Sequence, residues 1–222
     1  MKTRTQLIAI SSLAMAVLSG CTATESSRVI EPVQVNQLSE QYQGEKVKVS
    51  LGDIQNRSTY HNGIFSSGED RLGSQAKTIL KTHLQQSQRF SVLDRSNLSA
   101  LSQEAQFADA KQSIQGARYV LTGGVTEFGR KEVGDRQLFG LLGKGKSQIA
   151  YAKVSLNILD VTTSEVVYSV QGAGEYSLSN REVIGFGSTA SYDATLNGKV
   201  LDLALREAVN NLTDGVAQGK LK

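Results

Sequence analysis

The chain has no tryptophan, one proline and one cysteine in 222 residues, and only two histidines, His61 and His83. One cysteine excludes a disulfide framework and a thiolate zinc site. Two histidines leave no multi-histidine metal centre. Net charge is +3, too mild a balance for a nucleic-acid footprint. No Ser/His/Asp constellation can be argued around His61, and His83 reads as a surface or boundary residue of a helix rather than a base. The composition therefore points away from metal and nucleophilic catalysis: no catalytic residue, metal site or cofactor is expected, and the chain reads as a non-enzyme. Its length suits one domain with a proper core.

What is present starts with an address. Residues 1–20 read MKTRTQLIAISSLAMAVLSG, with Lys2 and Arg4 ahead of an apolar run from Leu7 to Leu18. That run is too short for a stable membrane-spanning helix and has the shape of a secretory signal peptide. It ends in Leu18-Ser19-Gly20-Cys21, which resembles the bacterial lipobox, and Cys21 is the single cysteine of the protein. In lipoproteins the signal is cleaved before this cysteine, whose thiol then carries the lipid. An ordinary signal peptide beside a chance cysteine is the alternative. Several acyl chains, at about 0.8 kcal/mol per buried CH₂, would anchor the chain without a transmembrane helix. Thr22 rather than Asp follows Cys21. By resemblance to enterobacterial lipoproteins this implies the outer membrane, facing the periplasm. Loss of Lys2 and Arg4 with the signal takes the charge from +3 to +1.

Residues 21–45 are polar, hold Pro32 and show no helix or strand period, as expected of a lipidated tether. Residues 46–222 read as one domain. Lys46 to Leu51 alternate as a strand. Asn56 to Gly68 form a turn-rich loop. Leu72, Ala76, Ile79, Leu80 and Leu84 fall at helical spacing over Glu69 to about Gln88. Phe90 to Leu93 is a short strand. Ser96 is placed to cap a helix carrying Leu98 and Leu101, and Arg118 to Thr122 is a third strand. A long amphipathic helix over about 198–218 carries Leu201, Ala204, Leu205, Ala208, Val209, Leu212 and Val216. The order predicts an α/β domain with a small mixed sheet, a strand-rich second half and a long C-terminal helix.

That second half reads as two extended β-hairpins, about 128–158 and 166–196. Ala150, Ala152, Val154, Leu156 and Ile158 alternate with polar residues, as do Ala190, Tyr192, Ala194 and Leu196 on a return strand. Arms of about ten residues match the 9–11 that cross a bilayer in a tilted barrel strand. An ordinary half-buried sheet has the same period. Charges also stand on both faces of the rising arm: Arg130, Glu132 and Arg136 on one, Lys131 and Asp135 on the other. An Arg or Lys facing lipid at mid-membrane costs about 2–4 kcal/mol.

Gly140 to Ser147 fits the phosphate-loop pattern G-x-x-x-x-G-K-[ST] letter for letter. The mechanism needs a buried strand before the loop and a helix after it. Here a charged stretch precedes it and period-two alternation follows, with too little chain for a crossover. No nucleotide is expected, and the glycines are read as shaping a hairpin tip.

The chain resembles the CsgG/HfaB family, outer-membrane lipoproteins of curli and holdfast-anchor assembly. The resemblance rests on Asp53-Ile54-Gln55-Asn56, on Gln88 to Ser96 (QRFSVLDRS), on Gly116 to Phe128 (GARYVLTGGVTEF) and on Val154 to Val161 (VSLNILDV) followed by Thr163 to Val166, in this order behind a lipobox. Phe139 to Leu156 also lines up without a gap on the first membrane hairpin of the curli secretion channel. The resemblance implies a homo-oligomeric ring with a shared transmembrane β-barrel. It implies passage or anchoring of secreted fibre or adhesin subunits, with accessory assembly proteins as further partners. It implies a constriction built from the loop between the first strand and first helix, where Tyr60, Asn62 and Phe65 are the candidate inward-facing residues. The loop spacing differs from the prototype, the second hairpin is shorter, and the C-terminal extension of the curli channel has no counterpart. The alternative is a periplasm-facing interaction module tethered through Cys21 and forming no pore.

Overall fold

A computed structural model describes residues 44–60, 69–136, 144–181 and 195–221. The described chain runs β1 (Val47–Asn56), α1 (Arg71–Gln86), β2 (Phe90–Leu93), α2 (Leu98–Phe107), β3 (Tyr119–Arg136), β4 (Lys144–Asp160), β5 (Val166–Arg181) and α3 (Thr195–Ala217). The strands form one mixed sheet in the order β2-β1-β3-β4-β5. β1 lies parallel to β2 and β3, while β3, β4 and β5 are antiparallel neighbours. The expected α/β class, mixed sheet and long C-terminal helix are all present.

The alternation in β4 packs the chain's own core. Ala150, Ala152, Val154, Leu156 and Ile158 are buried. Lys153, Ser155 and Asn157 between them are exposed or half-buried, as are Ser169 and Gln171 on β5. Helices α1 and α3 cover the apolar face with Ala76, Leu80 and Leu84 from one and Leu201, Leu205, Val209 and Leu212 from the other. Full burial of each of these larger side chains contributes about 1.5–3 kcal/mol. Gly172 lets α3 come this close: a Cβ there would stand 2.1 Å from the Ala204 carbonyl oxygen. Gly123, at φ +153 and with a Cβ position 2.1 Å from the Ser155 carbonyl oxygen, admits no side chain on either count.

Asp160 shapes the β4–β5 turn. Its carboxylate accepts from the backbone N–H groups of Thr162 and Thr163 at 2.8 and 3.3 Å, an Asx-type turn. These bonds, that of Thr162 first, hold its pKa below the ordinary carboxylate value.

Three expectations need correction. Ser96 does not cap α2. The N-cap is Asn97, with no side-chain cap bond, and the Ser96 N–H is drawn to Asp94 Oδ1 at 2.8 Å. Helix α2 buries none of its residues, and Leu101 is 47% exposed. The return strand expected up to Leu196 meets a helix instead: Thr195 and Leu196 open α3. Leu196, Val200 and Ala204 also fit a spacing of four, which the alternation had masked; residues 182–194 lie outside the described residues. Finally, Gly145, Lys146 and Ser147 stand inside β4, opposite Asp135, Gly134 and Val133, rather than at a hairpin tip. A strand in that place offers no helix N-terminus to a phosphate; Gly140–Gly143 lie outside the described residues.

Candidate functional site

The loop between β1 and α1 is held at its base by two side chains. Asp70 is the N-cap of α1: Oδ1 accepts from the Gly73 N–H at 2.7 Å, while Oδ2 accepts from the Asn56 N–H, also at 2.7 Å. One carboxylate thus caps the helix and ties down the end of the preceding strand. Gly73 makes room for this, since a Cβ there would stand 2.3 Å from Asp70 Oδ2 and 2.6 Å from the Ile54 carbonyl oxygen. Asn56 then organises the first turn of the loop. Its Oδ1 accepts from the Ser58 N–H at 3.0 Å and from Ser58 Oγ at 2.6 Å, and its Nδ2 donates to the Tyr60 carbonyl at 2.7 Å.

Tyr60 is thereby aimed at the base of the long ribbon. Its ring meets Phe128 of β3 edge to face, centroids 4.8 Å apart at 66°. Its hydroxyl accepts from Asn197 Nδ2 of α3 at 2.9 Å. Asn197 Oδ1 in turn accepts from Arg130 Nε of β3 at 2.8 Å. Loop, ribbon and C-terminal helix meet in this cluster. Asn62 and Phe65, the other candidate constriction residues, lie outside the described residues, as do Leu18, Ser19, Gly20 and Cys21.

The ribbon itself is long. The β1 ladder on β3 ends at Asn56 opposite Val125. Among the described residues, β3 beyond that point is paired only with β4. Past Arg130 the β3–β4 ladder continues from Lys131 opposite Ile149 to Arg136 opposite Lys144, and β5 accompanies it to Arg181 opposite Gly145. Six paired positions span about 20 Å. On the outer edge of β5, Asn211 Nδ2 of α3 donates to the Gln171 carbonyl at 2.9 Å.

Sequence reasoning placed Tyr60 in the right loop but not its partners. Asp70 carries a local signal, an acidic residue directly before an amphipathic helix. Asn197 stands 137 residues from Tyr60, and no local pattern marks such a pair. His83 is corrected from surface to interior: it is 4% exposed, and its Nε2 lies 2.9 Å from Asp202 Oδ1. Among the described residues no helix is long and apolar enough to cross a membrane, which says nothing of strands.

The family model described as curli production assembly/transport component CsgG matches residues 30–220. A protein of Neisseria meningitidis serogroup B named as a lipoprotein is 61% identical over 219 residues, 99% of this chain and 97% of that one. Among solved structures, the chain is similar to the PelC dodecamer from Paraburkholderia phytofirmans, at 16% identity over 74% of this chain and 86% of that one, TM-score 0.33. It is similar too to lipoprotein GNA1162 from Neisseria meningitidis, at 13% identity over 78% of this chain and 99% of that one, TM-score 0.37. The match over nearly the whole domain assigns the fold, and with it the chain belongs to the CsgG family.

Proposed function

We propose that this protein is a lipoprotein of the outer membrane, attached through Cys21 on the periplasmic face, that assembles into a homo-oligomeric ring for export or anchoring of extracellular fibre or adhesin subunits. The assembly and transport role in the family description and the lipoprotein relative support this reading. The observation that carries it is the three-stranded ribbon β3-β4-β5, which continues past Arg130 with the β3 edge open to a further strand among the described residues. An open edge is a template for pairing with another chain. Repeated head to tail between copies, such pairing closes a ring. Asn62 and Phe65 line the constriction, with Tyr60, held by Phe128 and Asn197, as the foot of their loop, and an extended polypeptide passes by diffusion without nucleotide.

One set of observations favours a second reading, a tethered module that docks on an envelope partner and forms no pore. Lys131-Glu132 and Asp135-Arg136 put charges at consecutive positions of a strand. A period of two then leaves no uncharged face for lipid. Helix α2 buries none of its residues, with Leu101 and Phe107 47% and 74% exposed, and Ile114 in the segment after it is 58% exposed, as a docking surface would be.

Detergent-extracted full-length protein separates the readings. Ring-shaped particles by negative-stain microscopy that conduct ions in planar bilayers are the expected result. Monomers with no conductance at any protein density would leave only the docking module.

A further inference from the structure

We infer that Asn197 is a positioning residue that mechanically couples the loop at Tyr60 to the ribbon at Arg130. The inference rests on the proposed role of loop and ribbon, but the contact itself does not. The two ends of one carboxamide are used differently: Oδ1 accepts from Arg130 Nε at 2.8 Å, and Nδ2 donates to Tyr60 Oη at 2.9 Å. Asn197 is half-buried and belongs to the first turn of α3. It therefore joins three elements at the point where each leaves the core: β1 through the Asn56–Tyr60 turn, β3 just before its overhang, and α3 at its start. Phe128, 5% exposed, closes the joint from below with its edge-to-face contact to the Tyr60 ring. An amide is suited to this place: it offers an acceptor toward a guanidinium and a donor toward a phenol in one rigid plane. A shift of the ribbon at Arg130, such as pairing with a neighbouring copy would impose, is passed through Asn197 to Tyr60.

The test uses the full-length protein in detergent and reads hydrogen exchange by peptide. Asn197→Leu keeps the approximate volume and removes both bonds. Exchange in the peptides covering Arg57–Tyr60 and Glu127–Lys131 should rise together, by about tenfold, the loss expected from about 1.4 kcal/mol of local stability. The peptides covering Leu80–Leu84 and Leu205–Val209 should not change, which shows that the variant folds. Asn197→Asp should restore protection in both segments, because its carboxylate accepts from Arg130 and from the Tyr60 O–H. Tyr60→Phe should loosen only the first segment. If Asn197→Leu loosens α3 alone, or if the aspartate fails to rescue, Asn197 does not couple the two. Bilayer conductance is the second arm. Where the wild type conducts, Asn197→Leu should alter single-channel conductance and Asn197→Asp should return it; unchanged conductance beside the expected exchange overturns the coupling to the pore. Where the wild type does not conduct, the pore reading fails while the exchange pattern still decides the joint.

Discussion

His83 Nε2 and Asp202 Oδ1 lie 2.9 Å apart between α1 and α3, with the imidazole 4% exposed and the carboxylate 32% exposed. The two residues are 119 positions apart, so the contact fixes how the first helix and the last one share the sheet. Asp202→Ala leaves a buried ring nitrogen with no acceptor, which costs about 1–3 kcal/mol. In a chain of this size the thermal midpoint should fall by about 2–10 °C. The double variant His83→Leu with Asp202→Ala should be more stable than Asp202→Ala alone, because no orphaned polar group remains. Thermal denaturation of the three proteins checks both statements; a neutral Asp202→Ala would show that the pair does not hold the helices.

Helix α3 lies so close on β5 that no side chain fits at Gly172. An added Cβ would meet the Ala204 carbonyl oxygen at 2.1 Å and the Ala208 nitrogen at 2.5 Å, both backbone atoms that cannot swing away. Gly172→Ala should therefore push the helix off its seat and cost about 1–3 kcal/mol. Gly116 is the control, since a Cβ there meets nothing within 4 Å, and Gly116→Ala should change stability by no more than about 0.5 kcal/mol. Equal denaturation midpoints for the two variants would refute the packing argument.

These two contacts mark where sequence reading stops. Helix and strand periods exposed the core elements because each is a local signal: Leu72 to Leu84 for α1, Phe90 to Leu93 for β2, Ala150 to Ile158 for β4, Leu201 to Val216 for α3. The same period was ambiguous in meaning. Alternation in β4 describes a strand with one wet face, and whether its dry face meets lipid or α3 depends on residues about fifty positions away. The β3–β4 register slips between Val125 and Glu127, an irregularity with no signature in composition. The candidate site divides in the same way. Tyr60 could be assigned to a loop between two periodic segments, but its contacts to Phe128 and Asn197 follow from sheet order and from the entry angle of α3, which are global properties.

Asp94 gives a dependence on pH. Its carboxylate accepts from Lys81 Nζ, Asn97 Nδ2 and the Ser96 N–H, each at 2.8 Å, tying α1 to the turn that opens α2. The Lys81 bond first, then those of Asn97 and Ser96, lower its pKa to about 2. A depressed carboxyl contributes stability that is present above the unfolded pKa, about 3.9, and is lost as pH falls through the folded value. At face value the shift is worth about 2.5 kcal/mol. Both side chains are about one-third exposed, 39% for Lys81 and 30% for Asp94, so screening leaves about 0.5–1 kcal/mol. Asp94→Asn should be less stable than the parent by that amount at pH 7, and the difference should close between about pH 4 and pH 2. A difference that persists at pH 2 would assign the effect to something other than the ionised carboxylate.

The anchor is the last point open to a direct test. Cys21 is the only thiol in the chain and follows Leu18-Ser19-Gly20. If it carries the lipid, membrane attachment is set by the acyl chains, each buried CH₂ adding about 0.8 kcal/mol, because no described helix can substitute for them. Cys21→Ala should then abolish incorporation of a labelled fatty acid and release the protein from the outer-membrane fraction. The outcome separates anchor from ribbon. Should Cys21→Ala lose the label yet remain in the membrane after a high-salt wash, the ribbon of β3, β4 and β5 is itself inserted in the bilayer. Should it appear wholly in the periplasm while still assembling into rings, assembly needs neither lipid nor bilayer, and the ribbon edges pair in water. Continued labelling of the alanine variant would refute Cys21 as the acylated residue.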